Sequence, residues 1–161
     1  MMRILYLHGL ESSNVGDKVD FLKSVSDCYA PKIDYTDPNL EKHLMKMVKS
    51  FQPDLIIGSS IGGYAGLLLA NYYDIKAVVF NPAIHSRSIE LELDRLEAKD
   101  PKFNFQPLVV LGLEDDVIDP KVSKEIFEDA IFHSDIVEVE NMGHRISLNN
   151  LVDIYKKYIE K

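Results

Sequence analysis

A chain of 161 residues, 46% hydrophobic and 27% charged, can bury one real core without staples and fits a single domain spanning 1–161. Its net charge of −8 at pH 7 argues against nucleic acid or an anionic membrane as the main partner, since both select basic surfaces, yet leaves room for a small anionic substrate held locally. The single cysteine, Cys28, excludes an internal disulfide, and residues 1–7 are too short for a signal-peptide core or a membrane span, so the expected location is cytoplasmic.

In chain order, residues 4–7 (Ile-Leu-Tyr-Leu) read as a buried strand cut off by His8-Gly9. A loop follows, then a helix entered through Asn14 or Gly16-Asp17, with Val19, Leu22 and Val25 at apolar spacing. Residues 30–35 form a weaker second strand, and Cys28 beside it is filler. Thr36-Asp37-Pro38-Asn39 is turn material that offers caps. A helix over about 40–50 carries Leu44, Met47 and Val48 on one side. Pro53 closes that loop, and Leu55-Ile56-Ile57 opens a third strand, followed by an apolar helix over 61–73. A fourth strand, 76–80, is stopped by Asn81-Pro82. Residues 88–99 alternate acids with Ile89, Leu91, Leu93 and Leu96 and predict an amphipathic helix. The wider segment 84–106 is expected to form a small flap. A fifth strand at 107–111 is followed by Gly112-Leu113-Glu114-Asp115-Asp116. Pro120 starts a helix through 132, a sixth strand covers 135–140, and Asn141-Met142-Gly143-His144 turns into a closing helix over 146–159.

Strands that are apolar throughout, alternating with helices, indicate a parallel sheet covered on both faces, hence a doubly wound three-layer α/β fold. Ligands in such folds collect beyond the carboxyl ends of the strands. The turns carrying His8, Ser60, Asp115 and His144 all fall there.

Gly58-Ser59-Ser60-Ile61-Gly62 is a G-x-S-x-G pattern between a strand and a helix, the context a nucleophile elbow requires. The bland alternative is a glycine-rich turn that only packs or cradles an anion. A serine hydroxyl needs a neutral base oriented by a partner, the usual work of a histidine backed by a carboxylate. Ser60, Asp115 and His144 occur in the Ser…Asp…His order of α/β-hydrolases. Of five histidines, His144 follows the last strand and is the expected base, with His85 the rival; His43 and His133 suit surface roles, and His8 a structural one. Spacing does not choose among Glu114, Asp115 and Asp116; the Gly112-x-x-Asp115-x-Val117 pattern favours Asp115, with Asp116 in reserve. Asp119 is placed to cap the next helix, with Pro120 at its first position. The amides of Ile61 and Leu10 are the expected oxyanion donors.

The blocks Leu5-Tyr6-Leu7-His8-Gly9-Leu10-Glu11-Ser12-Ser13, Gly58-Ser59-Ser60-Ile61-Gly62-Gly63-Tyr64, Asn81-Pro82-Ala83, Asp115-Asp116-Val117-Ile118-Asp119 and Gly143-His144 together resemble the small bacterial YqiA-type esterases of the α/β-hydrolase superfamily. The resemblance runs to about residue 146. It implies catalytic roles for Ser60, Asp115 and His144. It also implies a six-stranded sheet of order 2-1-3-4-5-6, lacking the first two superfamily strands, with the switch point where Leu10 and Ser60 meet. The stretch between Asn81 and Pro107 is shorter than its family counterpart, leaving little or no cap.

The resulting expectation is a serine hydrolase acting on carboxylic esters or acyl thioesters through an acyl-enzyme. It needs no metal or cofactor, has a small acyl substrate as partner, and uses Tyr64 and Leu10 as acyl contacts. The alternative from another class is a binding module that keeps the fold without useful turnover. G-x-G-x-x-G and G-x-x-x-x-G-K-[ST] are both missing from the sequence, so nucleotide binding is the weaker option.

Overall fold

The computed structural model describes residues 1–101, 104–129 and 133–160. Six strands, β1 (Arg3–Leu7), β2 (Asp27–Tyr29), β3 (Leu55–Ser59), β4 (Lys76–Phe80), β5 (Leu108–Gly112) and β6 (Asp135–Val139), form one sheet of order β2-β1-β3-β4-β5-β6. Every neighbouring pair is parallel. The helices are α1 (Asp17–Val25), α2 (Leu40–Phe51), α3 (Ile61–Tyr73), α4 (Asp94–Ala98), α5 (Pro120–Glu128) and α6 (Leu148–Ile154), the last continuing into a π-helical turn over Tyr155–Ile159.

The period of two within each strand sorts the core into two layers. Ile4, Tyr6, Leu55, Ile57, Val78 and Phe80 pack against α1 and α6 through Val19, Leu22, Leu151 and Ile154. Leu5, Leu7 and Ile56 face α2 and α3 through Leu40, Leu44, Ala65 and Leu69, and Val79, Val109 and Leu111 on that side meet Phe127 of α5. Both faces of the sheet are therefore buried, which is why its strands read as continuous apolar runs. Among the described residues no helix is long and apolar enough to cross a membrane.

The structure shifts four expected elements. The second strand is Asp27–Tyr29, not residues 30–35. Pro31 has no amide to give a ladder, and the Ile33 amide donates to His8 Nε2 instead of to β1. The buried Ile33 and Tyr35 thus marked burial, not strand pairing. In the 88–99 segment only Asp94–Ala98 is helical, because Ile89, Leu91 and Leu93 repeat every second residue, which fits extended chain. Leu93 and Leu96 are fully buried in the α2–α3 layer, and Glu41 of α2 accepts from the Leu96 amide. Residues 93–98 thus strap those helices, and of the described residues of the wider 84–106 segment, Ser86, Arg87 and Ser88 line the cavity described below. The closing helix starts at Leu148, with Ser147 as its N-cap. The helix expected to run through 132 ends at Glu128, Asp129 being extended; residues 130–132 lie outside the described part.

Candidate active site

Because β2 and β3 lie on opposite sides of β1, the chain reverses its winding between β1 and β3. The loops after those strands diverge there and leave a crevice. Ser60 stands at its floor with φ 55° and ψ −119°, a conformation that costs an L-residue on the order of 1–3 kcal/mol and persists only where its surroundings over-determine it. Here its amide donates to Phe80 O (3.0 Å), while its carbonyl accepts from the amides of Tyr64 (3.1 Å) and Ala83 (2.9 Å). A Cβ on Gly58 would strike the Gly62 backbone, and one on Gly62 would strike the Leu7 and His8 carbonyls. The two glycines therefore let strand and helix close around the serine. Ser60 precedes the first turn of the 13-residue α3, whose free amides favour negative charge beside it.

Ser60 Oγ lies 2.9 Å from His144 Nε2, and His144 Nδ1 lies 2.9 Å from Asp115 Oδ2. The other carboxylate oxygen, Oδ1, accepts from the Val117 and Ile118 amides, each at 2.9 Å. With Oδ1 so occupied, Oδ2 is left for the imidazole. The Asp115 side chain is 1% exposed and that of His144 19%. Burial pushes the Asp115 carboxyl up, but the His144 hydrogen bond, the Ile118 and Val117 amides and the imidazole charge together outweigh it and hold the group below its ordinary value. An ionised Asp115 keeps the proton on Nδ1, so Nε2 is the acceptor for the Ser60 hydroxyl. Burial also separates the adjacent acids that spacing could not: Glu114 and Asp116 are exposed.

Asn81 joins these pieces, and sequence reading missed its part. It is 1% exposed and adopts φ 44°, a region asparagine tolerates better than most residues. Its Nδ2 donates to Gly143 O (2.9 Å) and His144 O (3.1 Å). Its Oδ1 accepts from the Gly112 amide (2.8 Å). One side chain thus ties the end of β4 to the end of β5 and to the loop that carries His144. The sequence signal was available in Asn81-Pro82, where a polar residue ends a buried strand, but it read only as a stop.

Three of the remaining histidines have other partners, and His133 is exposed. His8 is buried: its Nδ1 donates to Gly9 O and its Nε2 accepts from Ile33, so it shapes the loop after β1, as expected. Ser12 Oγ braces the same loop by accepting from the Gly9 amide at 2.7 Å. His85 sits by Asp119 O, and His43 pairs with Asp37. Asp119 caps α5 by accepting from the Lys121 amide. The Cys28 thiol is pushed up to about 11 by burial, which leaves it unreactive near neutral pH.

A cavity of about 520 Å³ opens above Ser60 and His144, within the usual range of roughly 300–1,000 Å³ for small-molecule pockets. Leu10 and Ile61 line it, together with Val117 and Ile118. Tyr64 does not: it is buried, and its ring lies under Arg87, whose guanidinium carbon is 4.1 Å from the ring centroid. Sequence reading also missed the cavity's cations, Lys18, Arg87 and Arg145. Among the described residues no cluster of three or more histidine, cysteine or acidic side chains could hold a metal.

The fold is that of the α/β-hydrolases. It matches a monoacylglycerol lipase from Paleococcus ferrophilus with a TM-score of 0.68 at 14% identity, covering 89% of this chain and 86% of that one. A lidless α/β serine hydrolase from Xanthomonas campestris matches with a TM-score of 0.64 at 15% identity, covering 99% and 83%. Within that fold the chain belongs to the uncharacterised protein family UPF0227, which residues 3–100 match. A UPF0227 protein of Vibrio parahaemolyticus is 29% identical over 167 aligned positions, spanning 88% of this chain and 90% of that protein.

Proposed function

We propose that this protein is a serine hydrolase that cleaves carboxylic esters or acyl thioesters through an acyl-enzyme. The observation that carries this reading is the Ser60–His144–Asp115 relay, with both links at 2.9 Å. His144 Nε2 takes the proton as Ser60 Oγ bonds to the substrate carbonyl carbon, and the carbonyl oxygen becomes an oxyanion. The amides of Leu10 and Ile61 stabilise that oxygen, at a helix N-terminus where such donors act best. Collapse of the intermediate expels the alcohol or thiol, which leaves with the proton from Nε2. Water then repeats the sequence on the acyl-enzyme, releasing the acid and restoring Ser60. No step calls for a metal or cofactor. The exposed Leu10 and Val117 beside the cavity suit short acyl chains at an open site. The serine hydrolase and lipase noted above support the reading through shared architecture.

The test is covalent labelling with a fluorophosphonate, which requires an assembled base and oxyanion site. The natural protein should label, and Ser60→Ala and His144→Ala should not. A folded natural protein that stays unlabelled and turns over no short-chain aryl ester or acyl thioester would overturn the assignment.

A further inference from the structure

Three cations stand in the wall of the Ser60 cavity, Lys18, Arg87 and Arg145, against one carboxylate, Glu11. That wall carries a net +2, while the chain as a whole carries −8. Such a local reversal of sign in a concave site focuses potential toward anions. Each cation is also anchored through backbone carbonyls, which orient it without cancelling its charge. Arg87 Nη1 donates to Ala83 O (2.7 Å) and Ile84 O (3.3 Å), while its guanidinium carbon lies over the Tyr64 ring. Lys18 Nζ donates to Ile146 O at 2.9 Å. Arg145 Nη2 donates to Glu11 O at 3.1 Å, and its contact with the Glu11 carboxylate is a long, exposed 3.9 Å. Among the described residues, neither Lys18 nor Arg87 has a carboxylate at ion-pair distance.

Arg87 is the best placed of the three. Both hydrogens of Nη1 are committed to carbonyls, so Nε and Nη2 remain, and these form the edge that grips a carboxylate or phosphate in bidentate fashion. The cation–π contact with Tyr64 helps hold the guanidinium in place. Its sequence neighbours Ser86 and Ser88 also line the cavity, and a serine hydroxyl can donate to an oxyanion.

We infer that the substrate is a small ester carrying its own oxyanion, a carboxylate or a phosphate, which Arg87 holds with help from Lys18 and Arg145 while Ser60 attacks the ester carbonyl. The anion lies in the same cavity as the scissile bond, so it belongs to the compact substrate itself. This explains Tyr64 as the support of Arg87 rather than as an acyl contact, and it rests on the hydrolase reading above.

The experiment compares kcat/KM for the 4-nitrophenyl monoester of adipic acid with that for 4-nitrophenyl hexanoate, and for butyryl glycerol phosphate with monobutyrin. The first pair reports on a carboxylate and the second on a phosphate. At least one anionic ester should be favoured about tenfold or more, chiefly through KM. In Arg87→Gln that ratio should fall toward one, and in Glu11→Gln it should rise. Equal rates for charged and neutral esters in both pairs, or a preference that survives Arg87→Gln, would sink the inference even with Ser60-dependent turnover of hexanoate intact. A second arm needs no turnover: monomethyl adipate or inorganic phosphate should raise the Tm of the natural protein saturably and that of Arg87→Gln much less. Should no ester be cleaved, the hydrolase reading fails, and this arm alone decides whether the anion site exists.

Discussion

The floor and the rim of the cavity are built on opposite plans. The floor is held at many points: Ser60 by three backbone hydrogen bonds, Asp115 by two amides and an imidazole, and the His144 loop by Asn81. The rim is made of exposed residues, Leu10, Glu11, Arg87 and Arg145, of which the two arginines reach nearby carbonyls. A floor of this kind fixes the reacting atoms against thermal motion, which a proton relay needs. A rim of this kind can be rewritten one residue at a time without disturbing the sheet. On the proposed function, the reaction and the choice of substrate would fall to parts of the chain with different tolerance to change.

The sharpest way to test that division is Asp115→Asn. The replacement keeps the shape of the floor but removes the charge that holds the proton on His144 Nδ1. An effect on the order of 10³–10⁴ in kcat is expected from loss of the correct tautomer, with KM little changed and the fold intact by circular dichroism. A loss under tenfold would mean that the floor does not work as a relay.

Asn81→Gly comes next. Glycine accepts the φ of 44° without strain, so the variant isolates the three side-chain hydrogen bonds. Leaving the Gly112 amide without its acceptor should cost about 1–3 kcal/mol, read as a lower midpoint in urea. Activity should fall by roughly 10–100-fold, in kcat rather than KM, because His144 loses the tie that positions it. If KM rises and kcat holds, Asn81 serves the rim and the comparison is misdrawn.

How much of this was legible in the sequence follows the same divide. The strand and helix around Ser60 were readable because local pattern dictates them: a β-branched run, a glycine-bounded turn and an apolar helix, which the structure places at Leu55–Ser59 and Ile61–Tyr73. Ser60 and His144 were readable from their turns and chain order, whereas Asp115 was favoured over Asp116 only by the Gly112-x-x-Asp115-x-Val117 pattern; the structure brings the three together. Asn81 was readable only as a polar stop to a buried strand, because its tying role exists only once three loops converge. The cations were equally hidden. Lys18, Arg87 and Arg145 are far apart in sequence and each looks like ordinary surface charge until the fold closes on one cavity. The misplaced second strand shows the converse error, since Ile33 and Tyr35 carry a buried pattern with no strand partner.

Acid should expose the floor more gently. The folded-state pKa of Asp115 is depressed, so its contribution to stability is fully present above the ordinary carboxylate value. That contribution is lost as pH falls through the depressed one. The Tm gap between the natural protein and Asp115→Asn should therefore be constant from pH 7 to about 5 and narrow below about pH 4, where free aspartate protonates. A gap that widens on acidification would mean that the folded-state carboxyl is raised instead of depressed.

The smallest effect is expected at Ser147, just beyond the site. Its side chain accepts from the Asn150 amide, and Asn150 Oδ1 accepts from the Ser147 amide, a reciprocal box that starts α6. Ser147→Ala should cost about 0.5–2 kcal/mol of stability. It should change kcat/KM less than twofold, because the His144 loop is held from the other side by Asn81. That separation is the comparison in miniature: a residue three positions from His144 in sequence should matter less to the reaction than one 63 positions away. A tenfold loss of activity in Ser147→Ala would show that the helix, and not the buried asparagine, sets the position of the imidazole.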